Sequence, residues 1–210
     1  ARGFTAAGGR TVAVLLGSGV RGLAAELARG FDEVAVLDHP RLEVPDAETF
    51  REALLPLLRR EGPFAVLLPH SNLAIDLAPP LAVVAGMPMV ADCLGLSEEG
   101  GTVRAVRALH GGKVHARFAV RPGPDGFLAT VRSGAFPAAG PAPAPGSVRE
   151  EAPPPGLADL VPRRRPMETL APEAGQVDLA QAEILVAVGR GIEEAENLGI
   201  VRSLAEAMGA

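Results

Sequence analysis

The sequence predicts an α/β fold: a mostly parallel sheet covered by helices on both faces, with an antiparallel extension and the first β-α unit of a second domain. Three observations carry this. Short apolar runs of strand length alternate with stretches of helical periodicity over the first ninety residues. The first of these runs ends in a glycine turn, as a buried parallel strand does. Beyond residue 100 the pattern changes to alternating strands separated by Gly-Gly and Pro-Gly-Pro-Asp-Gly turns.

In order, residues 11–16 read as a strand. Residues 20–29 read as a helix, with Val20, Leu23, Ala24 and Leu27 on one face. Residues 33–38 form a second strand. A helix over 47–60 starts at Asp46, whose carboxylate caps it. Residues 64–68 are the third strand, followed by a helix over 71–85 that Pro79 and Pro80 should kink or split. A fourth strand spans 88–91. Residues 102–109, 113–120 and 127–132 read as an antiparallel extension of the sheet. Residues 138–157 are rich in Ala and Pro and read as an exposed, semi-rigid connection, although 147–151 and 161–170 could each add a short edge strand. A new unit then opens with a strand at 183–188, a glycine turn and a helix over 193–208. One strand and one helix cannot bury both their faces, so this unit needs further chain or another protein to pack against.

Composition excludes several classes. Of the 210 residues, 48% are apolar, which is incompatible with a disordered chain. The net charge of −5 and the lack of Trp and Tyr argue against a nucleic-acid partner. Apolar runs are too short to cross a bilayer, so no membrane insertion is expected. Cys93 is the only cysteine, which rules out an internal disulfide. A cytoplasmic protein is the simplest reading. His39, His70, His110 and His115 lack metal-binding spacing, so no metal site is expected. Arg163, Arg164 and Arg165 form the one cationic run, read as a solvated strand edge.

Two constellations bear on chemistry. Gly17-Ser-Gly-Val-Arg-Gly22 follows a strand and opens a helix, and Asp38 ends the next strand. Formally this is a dinucleotide fingerprint, in which Gly17, Gly19 and Gly22 admit a pyrophosphate and Asp38 receives a ribose hydroxyl. A tight strand-to-helix turn favours glycine without any ligand. His70, Ser71 and Asp76 suggest a nucleophile with a base, but Ser71 is better placed to cap the helix. No catalytic constellation is assigned, and the chain is not expected to be an enzyme.

Three segments carry a family resemblance in order along the chain. They are Pro69-His-Ser-Asn-Leu-Ala-Ile-Asp-Leu-Ala-Pro-Pro80, running on to Met87-Pro-Met-Val-Ala-Asp92; His110-Gly-Gly-Lys-Val-His-Ala116, leading to Ala129-Thr-Val-Arg-Ser-Gly-Ala-Phe-Pro137; and Val177-Asp-Leu-Ala-Gln-Ala-Glu-Ile-Leu-Val-Ala-Val-Gly-Arg-Gly191. Together they resemble the alpha subunit of electron transfer flavoproteins. Ala74 and Pro80 depart from the family's glycine and arginine, so no contact of that loop is carried over.

The resemblance implies a Rossmann-like N-terminal domain over 1–173 and a truncated start of the FAD-binding domain over 174–210. It implies a heterodimer with a beta subunit and FAD in the complete dimer. Electrons would pass from flavin dehydrogenases to a quinone oxidoreductase or other acceptor. The family's flavin-contacting motifs lie beyond Ala210, so no cofactor-binding residue is assigned and this chain alone is expected to hold no FAD. Arg190, in the Gly-Arg-Gly turn, reads as structural. A chain opening at Ala1 and closing just after a helix reads as a fragment or a processed form. The alternative is a stand-alone NAD(P)-binding oxidoreductase using the turn from Gly17 to Gly22 with Asp38.

Overall fold

The computed structural model describes residues 9–137, 144–164, 167 and 182–209. The chain divides into two compact units, residues 1–166 and 167–210.

In the first unit, β1 (Val12–Gly17), β2 (Glu33–Asp38) and β8 (Ser147–Glu150) form a parallel sheet in the order β1-β2-β8. The expected helix over 20–29 is shorter: a 3-10 turn at Arg21–Leu23 runs into the single turn of α1 (Ala24–Leu27). The i→i+3 bonds Arg29 N to Glu26 O and Gly30 N to Leu27 O tighten and end it. Small residues make this economical, because Ala24 and Ala28 lie flat against Val34 and Val36 of the sheet.

The second sheet has the order β3-β7-β4-β5-β6, with β3 (Ala65–Pro69), β4 (Met89–Glu99), β5 (Thr102–Leu109), β6 (Val114–Val120) and β7 (Phe127–Val131). The antiparallel extension is β4-β5-β6. Residues 127–132, expected to belong to it, instead supply β7, which inserts between β3 and β4 and is parallel to both. The physical reason is burial. Phe127, Leu128, Ala129 and Thr130 are all at most 1% exposed, and a run buried on both faces belongs at the centre of a sheet.

β4 also runs well past the expected end at Ala91. Its register shifts around Asp92, which has φ +56°, so its first part pairs with β7 and its second with β5. Among the described residues no ladder joins β1 to β3. Their facing edges border an apolar cleft of about 780 Å³ lined by Leu15, Phe50, Leu54, Leu57, Val66 and Leu73.

One helical layer serves both sheets. α2 (Ala47–Glu61) is capped by Asp46, whose Oδ1 accepts from Glu48 N and Thr49 N at 2.9 Å each. α3 (Asn72–Ala85) starts at Ser71, whose Oγ accepts from Ala74 N at 3.3 Å. Of the kink or split expected at Pro79 and Pro80, the split does not occur, and α3 runs unbroken through both. The carbonyls their rings leave unbonded belong to Ile75 and Asp76, which are exposed to water. The core under the helices joins Leu37 of β2 and Leu128 of β7 to Phe50, Leu54, Leu77 and Leu81.

The stretch 138–157 is not wholly an exposed connection. It contains β8, and α4 (Pro155–Asp159) sets Leu157, fully buried, into this core. Residues 138–143 lie outside the described residues. Of the second possible edge strand, 161–164 are irregular, and most of 165–170 lies outside the described residues.

β8 is tied down by charge. Arg149 reaches Glu33 and Glu61 at 2.8 Å and Glu151 at 2.6 Å, while Arg60 reaches Glu151 at 2.5 Å. The hydrogen bond from Arg60 holds the Glu151 carboxyl below the usual carboxylate range against the opposing effect of burial, with Arg149 helping. A depressed carboxylate contributes stability above its unfolded pKa and loses it as pH falls through the folded value. We expect Glu151→Gln to cost about 1–2 kcal/mol at neutral pH. Its melting temperature and that of the unmodified chain should converge as the pH falls through the lowered pKa of Glu151 in the folded state. A gap unchanged from neutral to acid pH, followed by thermal melts, would show that the charge of Glu151 is not what matters.

In the second unit, the strand expected at 183–188 is not formed among the described residues: 183 and 184 are bends, and 185–188 have no regular structure. The expected helix over 193–208 is present as a 3-10 turn at Ala195–Asn197 and α5 (Leu198–Met208). Leu185, Ile200, Leu204 and Met208 remain about half exposed or more.

Candidate functional site

In parallel α/β sheets, ligands gather where strands end at their carboxyl edges. Here two polar groups occupy such positions in the first unit.

At the ends of β1 and β2, Asp38 turns into the glycine loop. Its Oδ1 accepts from Gly19 N at 2.8 Å and its Oδ2 from Arg21 N at 3.3 Å. These bonds, that from Gly19 foremost, hold the Asp38 carboxyl below its ordinary range. The N–H groups that a phosphate would require are therefore directed at a fixed carboxylate. Arg21 turns outward to Glu150 at 3.1 Å, and the α1 helix behind the loop is a single turn. Structure thus brings together the residues of the formal fingerprint, but as a self-contained turn.

Where β3 and β7 end and the register of β4 shifts, His70, Thr130, Asp92 and Arg132 meet. The Arg132 guanidinium grips Asp92 with Nε on Oδ1 at 2.9 Å and Nη2 on Oδ2 at 2.5 Å, a bidentate pair. This pairing, more than anything else, keeps the Asp92 carboxyl ionised to lower pH than usual. Asp92 N donates to Thr130 Oγ1 at 2.8 Å, and His70 Nδ1 lies 2.9 Å from the same oxygen. Thr130 is buried, so its hydroxyl proton needs an acceptor, and Nδ1 is the one in reach. His70 then carries its proton on Nε2, 3.9 Å from Asp92 Oδ1.

No member of this cluster is left as a free base: the imidazole lone pair is used and the carboxylate is neutralised. What the cluster does is tie the ends of β3 and β7 to the irregular turn of register within β4. Sequence reasoning quoted both motifs that supply it but did not pair them, because that pairing requires β7 to lie beside β4.

His70, Ser71 and Asp76 do not come together. Ser71 caps α3, Asp76 pairs with Arg164 at 2.6 Å, and His70 faces the other way, towards Thr130. Arg163 contributes its backbone N–H to Glu48 at 2.8 Å, so this part of the cationic run is tied to α2 and α3 rather than forming a strand edge. His39 caps a 3-10 turn through Nδ1, and His110 sits in a hairpin turn. Among the described residues no three His, Cys, Asp or Glu side chains converge as metal ligands. Cys93 is buried, and burial pushes its thiol up to about 11. In the second unit, the Gly189-Arg190-Gly191 turn is followed, after Ile192, by Glu193 and Glu194, acidic neighbours that oppose a phosphate. Neither glycine turn therefore fits a flavin or nicotinamide phosphate by itself. No helix among the described residues is long and apolar enough to cross a membrane.

Residues 1–155 match the family model described as the electron transfer flavoprotein domain. The chain belongs to the electron transfer flavoprotein family. Among its relatives, the electron transfer flavoprotein subunit alpha of Bacillus subtilis (strain 168) is 32% identical over 100% of this chain and 64% of its own length. The subunit alpha of Megasphaera elsdenii is 31% identical over 94% of this chain and 59% of its own. A lactate dehydrogenase (NAD(+),ferredoxin) subunit LctC of Acetobacterium woodii is 32% identical over 94% of this chain and 47% of its own. The chain thus spans between about half and two thirds of the length of these relatives.

Proposed function

We propose that this chain is the scaffold portion of an electron transfer flavoprotein alpha subunit. Its first unit docks a beta subunit, and its second is the start of the domain that holds FAD in the complete dimer. The complete protein would carry electrons in the cytoplasm from flavin dehydrogenases to a quinone oxidoreductase or another acceptor. The isoalloxazine would supply the electron chemistry and the protein the binding and orientation.

The observation that carries this reading is the family match through β8, together with the self-filled turn at Asp38, which gives the first unit a structural rather than a nucleotide-binding strand end. The same bonds weigh against a stand-alone NAD(P) enzyme, since a pyrophosphate would have to displace Asp38 from Gly19.

Fluorescence titration of the isolated chain with FAD and with NADH tests this. We expect no saturable binding of either, and a flavin absorption band once the full-length alpha subunit is assembled with its beta subunit. Saturable NADH binding that Asp38→Ala abolishes would replace this reading with the oxidoreductase one. Stoichiometric FAD on the isolated chain would show that it holds the flavin site itself.

A further inference from the structure

The cleft between β1 and β3 is bounded by a strand edge on each side. Residues 9–16 line one wall and residues 61–69 the other, so the two strands flank it over almost their whole lengths. Each is the last strand of its sheet on this side. Between Thr11 and Glu61 at one end and Ser71 at the other, the lining is apolar.

Hydrogen bonds already made fix which backbone groups face the cleft. Successive residues of a strand turn their N–H and C=O to opposite sides. The carbonyls of Thr11 and Gly17 accept from Glu33 N at 3.2 Å and His39 N at 2.9 Å, on the β2 side. Val12, Val14 and Leu16, the residues between them in alternation, therefore turn theirs to the cleft. On β3, Phe64 O accepts from Phe127 N at 3.0 Å and His70 N donates to Val131 O at 2.7 Å, on the β7 side. Ala65, Leu67 and Pro69 therefore turn to the cleft, and Pro69 has no N–H to leave unpaired. Two rows of backbone donors and acceptors thus face one another, neither paired in a ladder among the described residues. Unpaired backbone groups beside apolar surface are costly, and each row supplies what the other lacks.

The rest of the unit is already arranged for pairing. β2 leads through α2 into β3, the strand–helix–strand connection that parallel strands of one sheet use. α2 also spans the cleft, because Phe50 and Leu54 pack with Leu37 of β2 and Leu128 of β7 in one core. At the amino ends of the two strands, Arg10 joins Glu33 of β2 to Glu61 at the end of α2. We propose that β1 and β3 close on each other as a parallel pair, making one sheet of order β8-β2-β1-β3-β7-β4-β5-β6. The cleft is then the open form of a seam within the sheet and not a site for an apolar ligand. This closure does not depend on the role proposed above for the chain.

Amide hydrogen exchange of the unmodified chain, resolved by residue with NMR, tests it. The amides of Val12, Val14, Leu16, Ala65 and Leu67 face the cleft. On the same strands, Ala13 and Leu15 face β2, and Val66 and Leu68 face β7, which makes them internal controls. If the seam closes, the cleft-facing amides exchange within about tenfold of the controls. Couplings across hydrogen bonds then link the N–H groups of Val12, Val14 or Leu16 to carbonyls of β3. Exchange on the order of a hundredfold faster than the controls, with no such coupling, overturns the closure. The apolar dye 1-anilinonaphthalene-8-sulfonate gives a further arm. Saturable binding that shifts the Val14 and Leu67 signals while their amides stay unprotected overturns the closure and makes the cleft a ligand site. Either overturning result leaves the proposed function standing, since that reading fails on flavin or NADH binding instead.

Discussion

Phe127→Ala should destabilise the first unit by about 3–5 kcal/mol, the largest loss expected from truncating any one side chain here. Phe127 is fully buried at the start of β7, an interior strand between β3 and β4. Its ring meets Phe64 edge-on at 5.7 Å between centroids. Around it lie Val90, Cys93, Val103, Ala105 and Ala129, all from strands of one sheet and mostly small. Small β-sheet neighbours cannot lean in to fill the space of a lost phenyl ring, so a cavity remains. In urea denaturation the midpoint should fall with little change in slope, and Phe127→Leu should recover more than half of the loss. If Phe127→Ala costs less than about 1 kcal/mol, the sheet is not closed around β7 as described.

Much of the fold was legible in the sequence because its signals are local. Asp46 and Ser71 announce helix starts through a side-chain oxygen two or three residues from its donors, and both caps form. Strands β1, β2 and β3 stand out as apolar runs bounded by glycine, proline or charge. What was not legible depends on which strands lie side by side. Phe127, Leu128 and Ala129 follow two alternating strands and look like a third of the same kind, yet they sit in the parallel part of the sheet. That insertion is what brings Arg132 onto Asp92, so one topological fact hid both an interior strand of the sheet and the cluster beside it. The unbroken run of α3 through Pro79 and Pro80 has a different reason: helix propensity assigns a cost to proline, but exposure of Ile75 and Asp76, whose carbonyls are freed, reduces it. The family resemblance had no such weakness, because it reads order along the chain rather than neighbours in space.

Gly126→Ala should be nearly as damaging as Phe127→Ala, and by a mechanism that no repacking relieves. Gly126 has φ +88°, a region that an alanine enters only at a cost of about 1–2 kcal/mol. A Cβ there would also stand 2.2 Å from the carbonyl oxygen of Pro63 and 2.5 Å from that of Phe64. Both are backbone atoms, and Phe64 O accepts the hydrogen bond from Phe127 N, at 3.0 Å, that leads into the β3–β7 pairing. The methyl group would therefore have to push β3 away from β7 at the point where they join. Gly62 provides the control. It closes α2 at φ +54°, with its N–H on Leu58 O, and a Cβ there meets nothing within 4 Å. Gly62→Ala carries backbone strain alone and should cost about 1 kcal/mol. Gly126→Ala carries strain plus collision and should exceed it by at least about 2 kcal/mol, with faster amide exchange concentrated in β3 and β7. Equal losses at the two glycines would mean that the contact at Gly126 relaxes freely, and that β3 and β7 are held together by something other than this close approach.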